Sequence, residues 1–279
     1  MPSDPLSRAR ASLRHRLVSA AAEGAGASVH EPLDARIRDL EARLAELEER
    51  QAARHEEVLD AMRRWERRQR RDVMTAMEAR AAASSAELVQ REMPDVALHV
   101  HPHDTLRHAV AAATVAGMAL EFGVASGTTL GLIAEGYDRG PVFGFDSFEG
   151  LPEPWRLGFD TGAFAQQQIP DVEGAELVVG LFDETLPGFL DAHPGPVGFL
   201  HLDADLYSST ATVLEQVGPR LVPGSVVLFD EYFNYPGWQE HEHRAWREHV
   251  ERTGLEWTYL GLTMDDEQVS VLVTGVATG

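Results

Sequence analysis

The 279-residue sequence contains no cysteine and no lysine. The absence of cysteine excludes disulfide bonds, thiolate metal ligands and a cysteine nucleophile, and it fits a reducing compartment. Long apolar runs are also missing near the start, where residues 17–22 form a stretch too short for a secretory signal or a membrane span. We therefore expect a cytoplasmic protein without a membrane partner.

Positive charge is scarce in the second part of the chain. Residues 1–92 carry 17 Arg and 17 acidic residues, whereas residues 93–279 carry 7 Arg and 28 acidic residues, so the net charge of −21 falls on the second part. A field of that sign repels phosphate backbones. We predict no nucleic-acid partner and expect a small neutral or cationic ligand.

Composition and periodicity divide the chain into three parts. Residues 1–32 are rich in Ala, Ser, Gly and Arg without sustained periodicity, which predicts a flexible tail. Residues 33–92 are predicted to form a helical coiled-coil leader. Residues 93–279 are predicted to form one α/β domain, and a hydrophobic content of 44% supports a buried core.

Apolar residues in the leader recur at alternating steps of four and three, which is a heptad pattern. The stripe consists of Leu33, Ile37, Leu40, Leu44 and Leu47. It weakens after two to three heptads, while an Arg/Glu-rich helix is expected to continue to about Ala83. Because the stripe is too narrow to be buried without a second helix, we predict a homo-oligomer through this coiled coil; a lone solvated helix is the alternative.

After Pro94 short apolar runs alternate with helical segments. Strands are predicted at residues 118–124, 141–146, 176–180, 197–203, 225–230, 255–261 and 268–274, and helices at 106–116, 128–137, 208–217 and 240–252. Most runs are continuously apolar, as strands covered on both faces must be. The alternation predicts a Rossmann-like, doubly wound α/β fold with a mainly parallel, seven-stranded sheet.

A glycine-containing turn follows the first predicted strand in ALEFGVASGTTLGLIAEG (119–136). Gly123 and Gly127 let the backbone approach a ligand, and the helix that opens at Thr128 offers unpaired N–H groups. Asp146 ends the next strand about 20 residues later, where an acid can accept hydrogen bonds from ribose hydroxyls. The two elements predict a nucleoside site; a ligand-free turn and a turn-capping Asp146 are the alternatives.

Two further predicted strands end in pairs of acids, Asp203 with Asp205 and Asp230 with Glu231. The carboxyl ends of parallel strands meet at one edge of the sheet, so we expect these acids beside the nucleoside site. Clustered acids either take raised pKa values or are neutralised by a divalent cation such as Mg²⁺, Mn²⁺ or Ca²⁺. We favour the metal; solvated loop acids and helix caps are the alternative.

Histidines cluster in HVHPH (99–103) and HEH (241–243). Neither cluster has the i, i+4 spacing of a helical zinc pair. We expect the first cluster to be an extended leader whose Asp104 caps the following helix. His201 alternates with leucines in a predicted buried strand, so we expect a hydrogen-bonded core residue.

Five blocks, in this order and spacing, resemble the macrocin O-methyltransferase-like family of class I S-adenosylmethionine-dependent methyltransferases: LEFGVASGTT, FGFDSFEGLPEPW, VVGLFDETLP, LHLDADLYSST and PGSVVLFDEYFNYPGW. The resemblance covers roughly residues 104–261. It implies a Mg²⁺-dependent O-methyltransferase that acts on a hydroxyl of a sugar or phenolic small molecule in secondary metabolism.

The resemblance also implies residue roles. S-adenosylmethionine would be held by Glu121, Gly123 and Ser126 on its methionine side, Asp146 on the ribose, and Ser147, Phe148 and Phe182 beside the adenosine. Mg²⁺ would be held by Asp203, Asp230 and Glu231, where the family often has Asp-Asp in place of Asp230-Glu231. Asp205 would be the general base, because Leu206 and Tyr207 stand where other members have a His.

The connection between Pro154 and the strand at 176–180 is unusually long and predicts a substrate lid. Aromatic side chains suggest an acceptor pocket, although they could equally pack the lid: Trp155, Phe159, Phe164, Tyr232, Phe233, Tyr235 and Trp238. Two other functions fit part of the sequence. One is a metal-dependent glycosyltransferase that uses the Asp-x-Asp pattern at 203–205; the other is a coiled-coil scaffold with a degenerate methyltransferase domain.

Overall fold

The computed structural model describes residues 12, 16, 19 and 27–275, and the chain divides into two compact units with the boundary between Asp72 and Val73. The first unit contains one long helix, α1 (Ala27–Arg71). Most of the predicted tail at 1–32 lies outside the described residues, but residues 27–32 belong to this helix. Helix α1 carries the heptad stripe, and the leader then continues as a separate helix in the second unit.

The second unit alternates helices and strands. Its elements are α2 (Val73–Glu92), β1 (Ala97–His99), α3 (Pro102–Ala112), β2 (Met118–Phe122), α4 (Thr128–Gly136), β3 (Val142–Asp146), β4 (Glu176–Val179), α5 (Phe182–Ala192), β5 (Val197–Leu202), α6 (Tyr207–Val217), β6 (Leu221–Phe229), α7 (Glu242–Thr253), β7 (Glu256–Thr263) and β8 (Val269–Gly275). Each of the seven predicted strands is present.

The strands form one sheet in the order β1-β7-β8-β6-β5-β2-β3-β4. Strand β8 runs antiparallel to β6 and β7, and the other pairs are parallel, so the doubly wound, mainly parallel prediction is confirmed. The predicted number of strands is wrong, because β1 adds an eighth. This strand pairs Leu98 with Leu262 of β7 and has only three residues, too few to form a recognisable apolar run.

The chain leaves β2 toward β3 and β4 on one side and later returns to β5 and β6 on the other side. This reversal of strand order between β2 and β5 opens a crevice at their carboxyl ends. Every residue of both strands is buried. Alternate side chains point to opposite faces, so Leu120 joins one hydrophobic cluster and Ala119 joins the other.

Helix α2 packs within the same compact unit as the sheet. Its Leu88 is buried in the larger hydrophobic cluster. Its serines contact the segment after β6: Ser85 Oγ accepts a hydrogen bond from the Asn234 N–H at 2.9 Å, and Trp238 Nε1 donates to Ser84 Oγ at 3.1 Å. Among the helices within residues 27–275, none has the length and apolar character that crossing a membrane requires.

Two helices differ from the prediction. Helix α3 begins at Pro102, and its N-cap is His101, whose ring nitrogen accepts from the His103 N–H at 3.2 Å. The predicted cap, Asp104, instead lies inside the first turn. Helix α5 was not predicted, because Pro187 is followed by Gly188 in its middle and this pair usually marks a turn.

Candidate functional site

A cavity of about 730 Å³ lies at the carboxyl ends of β2, β3, β5 and β6. Its walls come from the glycine turn, from the long connection between β3 and β4, and from the acidic strand ends. The structure brings these predicted site residues to its lining: Gly123, Asp146, Ser147, Phe182, Asp203, Asp205, Asp230 and Glu231. Three predicted residues, Glu121, Ser126 and Phe148, are not in the lining.

Gly123 allows two strand ends to approach each other closely. Its φ is +94°, and a Cβ at this position would lie 1.8 Å from the carbonyl oxygen of Asp203. Backbone cannot yield at that distance, so a side chain would force β2 and β5 apart. The missing side chain therefore keeps the turn beside the first acidic strand end.

The carboxylate of Asp146 holds the glycine turn in place. Its Oδ2 accepts from the N–H groups of Val124 at 2.9 Å and Ala125 at 2.8 Å. Its Oδ1 accepts from the N–H of Phe148 at 2.7 Å. Because a carboxylate oxygen has two acceptor positions, Oδ1 can take one more donor, such as a ribose hydroxyl.

Phe148 helps to hold Asp146 in its position beside the glycine turn. Its φ of +59° turns the chain so that its N–H reaches Asp146, while its side chain is buried in the smaller hydrophobic cluster. Ser126 lies at the start of α4, where its hydroxyl pairs with that of Thr128 at 2.9 Å. Both residues therefore contact the turn rather than the cavity.

Glu121 and His201 form a buried pair beneath the crevice. Their side chains are 0% and 1% exposed, and Glu121 Oε1 lies 2.8 Å from His201 Nδ1. The other ring nitrogen, Nε2, lies 3.8 Å from Asp230 Oδ1. Burial lowers the pKa of His201, but the hydrogen bond with Glu121 and the charges of Glu121 and Asp230 outweigh burial and raise the pKa well above its ordinary value.

Asp203, Asp230 and Glu231 form an acidic cluster whose ligand oxygens all lie within 4.8 Å of one another. Burial, with the charge of Asp230, raises the pKa values of Asp203 and Glu231 well above their usual range. Burial also opposes ionisation of Asp230, but the charge of His201 and a hydrogen bond from Gln268 Nε2 at 3.1 Å hold its pKa below the ordinary value. Glu231 Oε2 is buried without a hydrogen-bond partner among the described residues.

Asp205 lies next to this cluster in a backbone conformation with φ of +57°. Its side chain is buried at the cavity wall. Burial, and then the charge of Asp230, raises its pKa to about 7, although nearby Arg156 opposes the shift. Asp205 is therefore a carboxyl group that changes protonation state near neutral pH.

Glu242 supports Glu231 and was not recognised from sequence. It lies in the first turn of α7, fully buried, and its Oε2 accepts from the backbone N–H of Glu231 at 3.0 Å. Thr210 Oγ1 donates to Glu242 Oε1 at 3.4 Å. No local pattern identifies this contact, because it depends on how α7 docks against α6.

The connection between β3 and β4 covers one side of the cavity. Arg156, another residue that sequence reasoning missed, lies 4.0 Å from the Trp155 ring centroid and 4.6 Å from that of Tyr235. Its Nη1 donates to both oxygens of Glu267 at 2.9 Å, which ties the connection to the loop between β7 and β8. Arg156 and Glu267 are 111 residues apart in the sequence, so no local pattern predicts that they pair.

The aromatic residues expected around the acceptor separate into two groups. The three in the β3–β4 connection line the cavity: Trp155, Phe159 and Phe164. The four that follow β6 are buried in the larger hydrophobic cluster: Tyr232, Phe233, Tyr235 and Trp238. Only the first group is therefore available to contact a ligand.

Residues 120–232 match the family model of a methyltransferase domain. A curated protein from Streptomyces olivaceus, 8-demethyl-8-(2,3-dimethoxy-alpha-L-rhamnosyl)-tetracenomycin-C 4'-O-methyltransferase, is 38% identical over 121 residues. The matched region is 36% of this chain and 45% of that protein, so the match spans less than half of its length.

Similar solved structures include the calicheamicin methyltransferase CalS11, with a TM-score of 0.48 and 28% identity; the match covers 61% of this chain and 76% of that one. The O-methyltransferase NovP has a TM-score of 0.48 and 21% identity, with coverage of 62% and 79%.

Proposed function

We propose, because residues 120–232 match the family model of a methyltransferase domain, that the protein is an S-adenosylmethionine-dependent, Mg²⁺-dependent O-methyltransferase that modifies a sugar hydroxyl of a secondary metabolite. One observation carries the proposal: a single cavity joins the glycine turn and Asp146 to Asp205 and the acidic cluster. The sugar is supported by the matched protein, whose name describes methylation of a rhamnosyl 4'-hydroxyl. A phenolic hydroxyl is the second candidate acceptor.

The residues around the glycine turn fit S-adenosylmethionine, which supplies an electrophilic methyl group on a sulfonium centre. The backbone at Gly123 would face the methionine side, and Asp146 Oδ1 would accept a hydrogen bond from a ribose hydroxyl. Ser147 and Phe182, both in the cavity wall, would flank the adenosine. Glu121, Ser126 and Phe148 act indirectly in this proposal, because each supports the turn or the strands from outside the cavity.

The acidic cluster fits Mg²⁺, because three carboxylates converge and one buried oxygen of Glu231 lacks a partner. Asp203, Asp230 and Glu231 would hold the ion, and Glu242 holds the backbone N–H of Glu231. A bound divalent cation supplies a Lewis acid that lowers the pKa of a neighbouring hydroxyl.

Asp205 is the proposed general base. Its pKa of about 7 leaves a substantial fraction ionised at neutral pH, so a carboxylate oxygen can accept the proton of the acceptor hydroxyl. The glycine turn and Asp205 lie at the same cavity, so the methyl donor and the acceptor hydroxyl would be held close together. In an in-line displacement, such alignment supplies much of the rate acceleration. The connection between β3 and β4, which contains Trp155, excludes water from the cavity.

The test is a transfer assay with isotopically labelled S-adenosylmethionine and two acceptors, a rhamnosylated aromatic polyketide and its sugar-free phenol. We expect label only on the sugar, and Asp205→Asn should lower kcat by about 10²–10⁴-fold. The control is Asp160→Asn, which changes an exposed acid in the connection between β3 and β4 and should retain activity. Labelling of the phenol alone would replace the sugar by a phenol as acceptor. Binding of a UDP-sugar without binding of S-adenosylhomocysteine would instead favour the glycosyltransferase.

A further inference from the structure

Helix α1 presents an apolar stripe to solvent. It spans 45 residues, which corresponds to a length of about 67 Å. Leucines along the stripe remain widely exposed, with Leu40 at 54% and Leu47 at 60%. A helix of this length with a solvated leucine stripe gains stability when a second helix covers the stripe.

The charged residues beside the stripe indicate which helix that is. Steps of three follow Ile37 and Leu44, which therefore occupy heptad positions a, whereas Leu33, Leu40 and Leu47 occupy positions d. Flanking positions g are then all basic: Arg36, Arg43 and Arg50. Flanking positions e are acidic in the same region: Glu41 and Glu48.

In a parallel pair of identical helices, each g residue lies beside the e residue that follows it by five positions in the partner. Arg36 then faces Glu41 of the second copy, and Arg43 faces Glu48. In an antiparallel pair g faces g and e faces e, so Arg would meet Arg and Glu would meet Glu. The charge pattern thus favours parallel, in-register pairing and opposes the antiparallel arrangement.

We propose that residues 33–50 of α1 form a parallel, in-register, two-stranded coiled coil with a second copy of this chain. Leucine fills the d positions, and of the two a positions Ile37 favours two strands, whereas Leu44 does not select a strand number. The apolar stripe ends where Gln51 and Arg54 take the next a and d positions. The pairing of Arg at g with Glu at e ends at the same place. The agreement of the two boundaries defines the paired segment.

Ion pairs within α1 do not oppose this arrangement. Arg43 contacts Asp39 at 3.3 Å and Arg50 contacts Glu46 at 2.7 Å, in pairs whose side chains are more than half exposed. Exposed i, i+4 pairs contribute only about 0.3–0.5 kcal/mol. Each Arg can therefore reach the partner helix at small cost.

The first experiment reverses charge in the full-length protein. Arg36→Glu with Arg43→Glu places like charges at every matched e and g position, and Arg38→Glu with Arg63→Glu makes the same charge change on the outer face. By analytical ultracentrifugation, the first variant should raise the dissociation constant about tenfold or more, whereas the second should not. Mixing the first variant with Glu41→Arg/Glu48→Arg should restore association. Equal association of both Arg variants would overturn the proposal.

The second experiment uses the absence of cysteine from the chain. Leu33→Cys places one thiol at a d position near the start of the seam, and Ala35→Cys places it on the outer face. Only parallel pairing brings two copies of residue 33 within the Cα separation of about 4.4–6.8 Å that a disulfide requires. We expect Leu33→Cys to form covalent dimers at least about tenfold faster than Ala35→Cys. A dimeric Leu33→Cys protein that oxidises no faster than the control would exclude the parallel arrangement.

Discussion

His201 and Glu121 face each other at the same register position of neighbouring strands, with 2.8 Å between Nδ1 and Oε1. The resemblance placed Glu121 on the cofactor, yet the structure buries it completely and turns its carboxylate toward the imidazole. The second ring nitrogen of His201 is directed toward Asp230. Glu121 is therefore in a position to influence the acidic cluster through His201.

Glu121→Gln should destabilise the fold while leaving cofactor affinity nearly unchanged. A glutamine removes the negative charge beside the buried imidazole, so we expect the free energy of unfolding to fall by about 1–3 kcal/mol in urea titrations. Affinity for S-adenosylhomocysteine, measured by calorimetry, should change by less than about threefold. Glu135→Gln, on the exposed side of α4, is the control. A large loss of affinity at unchanged stability would return Glu121 to the cofactor site.

Asp146→Asn should weaken cofactor binding and loosen the glycine turn together. The amide nitrogen of asparagine cannot accept a hydrogen bond, so at least one of the three N–H groups that Asp146 now satisfies loses its partner. We expect at least about tenfold weaker binding of S-adenosylhomocysteine and about 1–3 kcal/mol lower stability. Asp138→Asn, an exposed acid before β3, should change neither quantity. Unaltered affinity in a destabilised protein would restrict Asp146 to turn capping.

Mg²⁺ should stabilise the protein as well as support turnover. The ion would relieve repulsion among Asp203, Asp230 and Glu231, so the wild-type melting temperature should rise on addition of Mg²⁺ and fall back with EDTA. In Asp230→Asn the rise should disappear, whereas Asp191→Asn, exposed on α5, should keep it. Full methyl transfer in EDTA, with metal content verified as zero, would contradict the metal site.

The contribution of His243 and His249 to stability should decrease as pH falls from about 6.5 to about 4. Burial, assisted by Arg247 and Arg252 respectively, lowers the pKa values of His243 and His249 from 6.5 to about 4. In this window these two side chains bind protons in the unfolded chain but not in the folded chain, so their contribution favours unfolding as the pH falls. One pKa unit corresponds to about 1.4 kcal/mol, and we expect about 1–2 kcal/mol across the window, because the ring of His243 keeps some solvent contact.

The corresponding measurement compares urea unfolding at several pH values. A variant with His243→Gln and His249→Gln should show a weaker pH dependence than the wild type, whereas His55→Gln in the exposed part of α1 should follow the wild type. Identical pH dependence in all three proteins would show that His243 and His249 do not contribute to the pH dependence of stability.

Local sequence patterns predicted the strands of the second unit and the acids at the ends of those strands. Continuous apolar runs mark buried parallel strands wherever they are long enough, so β2 and β5 were recognised, whereas the three residues of β1 were not. Gly123 was recognised as a residue that lets the backbone approach a ligand, and the structure adds that it lies against the backbone of Asp203. The family resemblance rests on the same blocks, and residues 120–232 match the family model of a methyltransferase domain.

Only the tertiary structure decided which of these residues share the cavity and which support it. Glu121 meets His201 across a separation of 80 residues, and Glu242 meets the backbone of Glu231 because α7 docks behind the acidic strand end. Tyr235 enters the core, while Trp155 faces the cavity. Such contacts depend on strand register and helix docking, which are set by the packing of the whole core rather than by the residue types at either position.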